Sequence, residues 1–159
     1  MSTVTRFRGV IRTIGLLVIA ASLCVGVATA QQVIDGVTAD GALYRFLVPS
    51  PWNGQLVVYA HGYVAAGNPI ALPNNPLELA AFQAITSQGF AAAMSSYSQN
   101  GWAVKEGAQT THQLRGLFAA KVSEPTRTYL VGTSEGGLIA LDLTEGYSGQ
   151  YDVPSPSAE

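Results

Sequence analysis

Arg127-Thr128-Tyr129-Leu130-Val131-Gly132-Thr133-Ser134-Glu135-Gly136-Gly137-Leu138-Ile139-Ala140-Leu141-Asp142 is the stretch that decides the fold of this chain. An apolar, β-type run at Thr128–Val131 leads into a G-x-S-x-G turn, and a helical pattern follows. The spacing has a steric cause. The turn at Ser134 is so tight that the residues two before and two after it nearly touch, so Gly132 and Gly136 are both glycine. Such a turn holds the Ser134 hydroxyl above the sheet edge, at the positive end of the next helix and beside the free backbone N–H of Glu135. Donors placed there stabilise the oxyanion that forms when a serine attacks an acyl carbon. The plainer reading is a glycine-rich strand–helix turn with an incidental serine. A second motif upstream weighs against it.

That motif is His61-Gly62-Tyr63, directly after Leu56-Val57-Val58-Tyr59-Ala60. The unbroken apolar run reads as a strand buried on both faces, as in a parallel sheet. Gly62 lets backbone approach a ligand closely, and the Tyr63 N–H is placed to be a second oxyanion donor. His61 itself reads better as a structural histidine at a strand end than as a general base.

With both motifs present, the chain resembles the α/β-hydrolase family, in particular its secreted bacterial members, over about Val33 to Asp152. The resemblance implies a partial α/β-hydrolase fold. An N-terminal hairpin leads into a mostly parallel sheet flanked by helices, and the pattern stops after the helix that follows the elbow. It implies Ser134 as nucleophile, Glu135 and Tyr63 as backbone oxyanion donors, and His61, Gly62, Gly132 and Gly136 as supporting motif positions. In the family an Asp or Glu and then a His follow the nucleophile. No His follows Ser134 in this sequence. The chain therefore reads as the N-terminal half of such a domain, and a partner chain completing the sheet is one expectation.

Residues 1–30 read as a secretory signal peptide. Arg6, Arg8 and Arg12 form a basic start, Ile14–Val27 is apolar, and Ala28-Thr29-Ala30 is an A-x-A cleavage site. The competing reading is an uncleaved anchor, since the apolar stretch is near the lower limit for spanning. Cleavage implies a secreted or periplasmic protein with no stable membrane association. It would also remove Cys24, the single cysteine, leaving no disulfide or thiolate-ligated metal. Three of the eight Lys and Arg lie in that segment, so five remain against ten acidic residues. That balance gives nucleic acid no footing. Residues 31–152 read as one domain, and 153–159 (Val-Pro-Ser-Pro-Ser-Ala-Glu) as a disordered tail.

Between the ends the pattern predicts a hairpin (Val33–Val37 and Ala42–Val48 around Asp40-Gly41), the strand to Ala60, and a long loop at Val64–Asn74. A helix follows, capped by Asn75 with Pro76 and Glu78 in its first turn and Gly89 past its end. Leu79, Phe82 and Ile85 are expected to face the sheet. Next come a strand at Phe90–Ser95, a polar-aromatic loop at Tyr97–Gly107 and a helix at Gln109–Val122. The helix after the elbow, ended by Gly146, carries Leu138, Ile139, Leu141 and Leu143 nearly all round, so it is expected to be the most buried one. Thr128–Val131 is expected to be an unprotected edge.

Other candidates are weaker. His112 reads as a surface residue of its helix, Asp142 points away from Ser134, and Asp152 would begin a further strand. Tyr97 and Trp102 would line a pocket or only pack locally. There is no H-E-x-x-H, P-loop or G-x-G-x-x-G, so neither metal nor cofactor is called for. The functional reading is a secreted serine hydrolase acting on carboxylic esters, with a small-molecule ester or peptide as substrate. The alternatives are a peptidase-type serine hydrolase and a non-catalytic half-domain.

Overall fold

The computed structural model describes residues 30–152. The signal-peptide and tail expectations fall outside those residues, apart from Ala30 at the cleavage site. Among the described residues no helix is long and apolar enough to cross a membrane.

Eight elements follow in the order β1 (Gln31–Val37), β2 (Leu43–Pro49), β3 (Gln55–Ala60), α1 (Pro76–Ser87), β4 (Ala91–Ser95), α2 (Val104–Lys121), β5 (Arg127–Gly132) and α3 (Glu135–Gly146). They form one five-stranded sheet in the order β1-β2-β4-β3-β5. β1, β2 and β4 pair antiparallel, whereas β4, β3 and β5 are parallel. The hairpin turn closes with Gly41 at φ +87° and Thr38 N–H bonded to Ala42 O at 2.8 Å.

Alternation along the strands divides the core between the two faces. On one face Phe46, Leu56, Val58 and Ala93 pack against Leu114 and Phe118 of α2. Toward the C-terminal strand ends, Ala60 and Tyr97 pack against Ile139 and Leu143 of α3. On the opposite face Tyr59, Ala92 and Met94 meet Phe82 of α1. β4 opens with three alanines and is wholly buried, which lets helices from both sides come close.

Three expectations need correction. Leu79 does not face the sheet: it is 50% exposed, whereas Phe82 and Ile85 do pack inward. α2 begins at Val104, inside the stretch expected to be loop. Its N-cap, Ala103, has no capping side chain, and the Glu135 carboxylate instead accepts from the Ala103 N–H at 2.6 Å. Gly107 is a packing glycine rather than a turn glycine, since a Cβ there would lie 2.5 Å from Ile139 Cδ1. Finally, α3 is not the most buried helix. Ile139 and Leu143 are buried, but Leu138 and Leu141 are 48% and 57% exposed. One flank of α3 therefore has no covering element among the described residues.

β5 is the sheet edge, as expected. Its outward groups at Thr128 are taken by Asp152. Thr128 N–H bonds to Asp152 Oδ2 at 2.8 Å, and Asp152 N–H bonds to Thr128 O at 2.7 Å. Asp152 thus lies alongside β5, where a further strand would start.

Candidate active site

Ser134 joins β5 to α3 with φ 53° and ψ −119°. A side-chain-bearing residue at positive φ costs roughly 1–3 kcal/mol and persists only where its surroundings enforce it. Here both flanking glycines are required. A Cβ on Gly132 would lie 2.0 Å from Gly136 O, the mutual contact foreseen from the spacing. A Cβ on Gly136 would lie 2.0 Å from Ala60 O, so the second glycine is needed against β3 as well. The turn is closed by Gly136 N–H to Thr133 O and Gly137 N–H to Ser134 O, both 2.9 Å.

The two motifs meet. A Cβ on Gly62 would lie 3.2 Å from both Ser134 Cβ and Thr133 O. His61, Gly62, Tyr63, Thr133 and Ser134 line one open cavity of about 570 Å³, with the Val64–Asn74 loop on its far side. Ser134 is exposed to it, as is Tyr63.

The residue after Ser134 is buried. Glu135 is 4% exposed, and its bond to Ala103 N–H sets a carboxylate at the start of α2, where the helix dipole favours negative charge. The same side chain ties the elbow to a second helix.

The described histidines are engaged elsewhere. His61 is buried and stacks on Tyr97 at 3.7 Å, with Nδ1 2.6 Å from Gly62 O. A carbonyl only accepts, so Nδ1 carries the proton. Tyr97, itself at φ 57°, donates from Oη to His61 O at 2.8 Å. Burial, and next the Glu135 charge, push the Tyr97 phenol well above its ordinary pKa. Tyr97 is therefore a buried support beneath His61 rather than a pocket wall. Trp102 is 71% exposed, beside Asp142 and away from the cavity.

His112 is not a free surface residue. It stacks on Tyr147 at 3.7 Å, and its Nδ1 lies 3.0 Å from Tyr151 Oη. Burial, and then the nearby Arg115 charge, lower its pKa. It fastens the segment after α3 to α2. Among the described residues neither histidine hydrogen-bonds Ser134.

One further group reaches the cavity. Glu78, expected to complete a capping box, receives the Asn75 cap on its N–H at 2.9 Å. Its carboxylate, however, accepts from Tyr59 Oη at 2.8 Å, and Tyr59 Oη is also 2.7 Å from Thr133 Oγ1. This chain of hydrogen bonds links α1 and β3 to the residue before Ser134. Burial first, together with the Glu78 interaction, pushes the Tyr59 phenol up to about 12. The only sequence signal was the period-2 alternation that puts Tyr59 on the α1 face.

No family model matches the chain, and no curated protein is similar to it in sequence. Solved structures are similar in fold. DcsB in complex with its substrate analogue aligns with TM-score 0.54 and 16% identity, over 77% of this chain and 42% of that one. The Pyrococcus furiosus esterase Pf2001 aligns with TM-score 0.54 and 11% identity, over 77% of this chain and 49% of that one. Mouse alpha/beta hydrolase domain-containing protein 10 gives TM-score 0.48 and 17% identity, over 76% and 46%. The fold is α/β-hydrolase-like, and the chain spans less than half the length of each of these structures.

Proposed function

We propose that this chain is the nucleophile-bearing half of a secreted or periplasmic serine hydrolase acting on carboxylic esters. The observation that carries the reading is Ser134 at positive φ between β5 and α3, with its Cβ against Gly62. Ser134 Oγ attacks the ester carbonyl carbon and the carbonyl oxygen takes the negative charge. The backbone N–H groups of Glu135 and Tyr63 receive that oxyanion. The C–O bond to the alcohol breaks, an acyl-Ser134 ester remains, and water hydrolyses it.

Ser134 must lose its proton as it attacks. His61 and His112 are both held in other contacts. The base therefore comes from a polypeptide segment outside the described residues, supplied in the same protein or by a partner chain.

The test is labelling of Ser134 by a fluorophosphonate, located by peptide mass spectrometry. It is run beside turnover of an activated short-chain aryl ester, each compared with Ser134→Ala. Residual turnover without a base is expected to be about 10³–10⁴-fold over water at best. Labelling elsewhere, or equal turnover by Ser134→Ala, rejects the assignment. A non-catalytic half-domain is the second reading, favoured by the uncovered flank of α3. Export is tested by the mass of the mature N-terminus, expected to begin at Gln31.

A further inference from the structure

We propose that the cavity before Ser134 selects substrates carrying a positive charge, with the Glu78 carboxylate as the recognition group. This rests on Ser134 being the reacting residue and adds the substrate class. An acidic residue in the first turn of a helix ordinarily complements the helix dipole. Glu78 is drawn elsewhere. Tyr59 Oη lies between Glu78 Oε1 and Thr133 Oγ1, at 2.8 and 2.7 Å. A carboxylate only accepts and a phenol has one proton, so Tyr59 donates to Glu78 and Thr133 donates to Tyr59. The carboxylate is thereby fixed relative to the residue preceding the nucleophile.

Its charge is not matched by a cation. The ion pairs among the described residues are Arg45–Asp35 and Arg115–Glu124. Glu78 is the only formally charged side chain among the described residues lining the cavity. The Tyr59 bond leaves most of its acceptor positions open, and partial burial weakens the screening of its field. Tyr63, 57% exposed, brings an aromatic ring to the same cavity. A carboxylate and an aromatic face are what an alkylammonium group binds. A volume of about 570 Å³ suits a small-molecule ester.

The probe pair is acetylcholine and its uncharged isostere, 3,3-dimethylbutyl acetate. Each is titrated by NMR into the full chain carrying Ser134→Ala, so that no bond is cleaved. The cation is expected to bind about three- to tenfold more tightly. That preference should shrink towards unity in molar salt and in Glu78→Gln. Equal binding, a preference that survives Glu78→Gln, or binding of neither ester overturns the proposal. If Glu78→Gln does not fold, the salt series decides it, and Tyr63→Ala should weaken the cation more than the uncharged ester. Failed turnover with charge preference intact counts against the chemistry at Ser134. Turnover without preference counts against Glu78.

Discussion

Ser134 holds its strained conformation because three backbones crowd it and all three are glycine where a Cβ would collide. At Gly136 the obstacle is the Ala60 carbonyl of β3, at 2.0 Å, and backbone in a sheet does not yield as a side chain would. Gly136→Ala is therefore expected to cost about 3 kcal/mol or more, beyond ordinary overpacking, measured by urea unfolding. At Gly62 the contact is 3.2 Å, so Gly62→Ala should be milder in stability while displacing Ser134. The glycine requirement was legible in the sequence because it is local. The Tyr59–Glu78–Thr133 chain was not, since it joins residues 19 and 74 positions apart. Tyr59→Phe removes the shared hydroxyl and is expected to cost about 1 kcal/mol. It also has a pH signature. The Tyr59 phenol titrates at about 12 in the fold against 10.0 ordinarily, so folding favours its neutral form. Its contribution is complete below about pH 10 and is lost as pH rises through about 12. Stability measured across that window should fall less steeply in Tyr59→Phe, with Tyr97 and Tyr151, shifted in the same direction, supplying the remaining slope.

At the scale of elements, the sequence announced what begins and ends locally and missed what is settled at a distance. Asn75 and Pro76 marked the start of α1, and Gly89, at φ +86°, marked its end. α2 carries no such mark at Ala103. The group that fills the position comes from Glu135, 32 residues on, so the local pattern does not mark where the helix starts. The leucines of α3 misled for another reason. An apolar residue on every side says that a helix is built to be covered, without saying by what. Ile139 and Leu143 are covered by α2 and the sheet, while Leu138 and Leu141 are not. The two flanks should differ sharply under substitution. Ile139→Ala empties a site that is fully buried and should cost about 2–5 kcal/mol. Leu141→Ala should change stability by less than about 0.5 kcal/mol. Equal losses in urea unfolding of the two variants would mean that the outer flank of α3 is covered in solution.

At the scale of the whole molecule, exposed apolar side chains flank the β5 edge on both faces of the sheet. The sheet order ends at β5, which the sequence foresaw as an open edge. On the α1 face, a groove of about 270 Å³ runs between α1 and β5, walled by Val57, Phe82, Ile85 and Val131. Val131 is 46% exposed there and Leu77, at its rim, 81%. On the other face stand Leu138 and Leu141. Natural sheets blunt such edges with charge, proline or a covering element. Among the described residues the edge carries Arg127 at its start and Asp152, whose two bonds close Thr128. Alternation along the strand turns the outward groups of Leu130 and Gly132 the same way as those of Thr128, and no described residue bonds to them. An edge of this kind pairs with other chains. The full chain is therefore expected to self-associate with rising concentration, and Val131→Lys to restore the monomer. Lysine fits because its stem covers the groove while its charge stays in water. Since Val131 is half exposed already, the substitution should change stability by no more than about 0.5 kcal/mol. Sedimentation velocity over a wide concentration range measures both halves of the prediction. A wild-type chain that stays monomeric throughout, or a Val131→Lys chain that associates as strongly as wild type, would show that the β5 edge is not the adhesive surface.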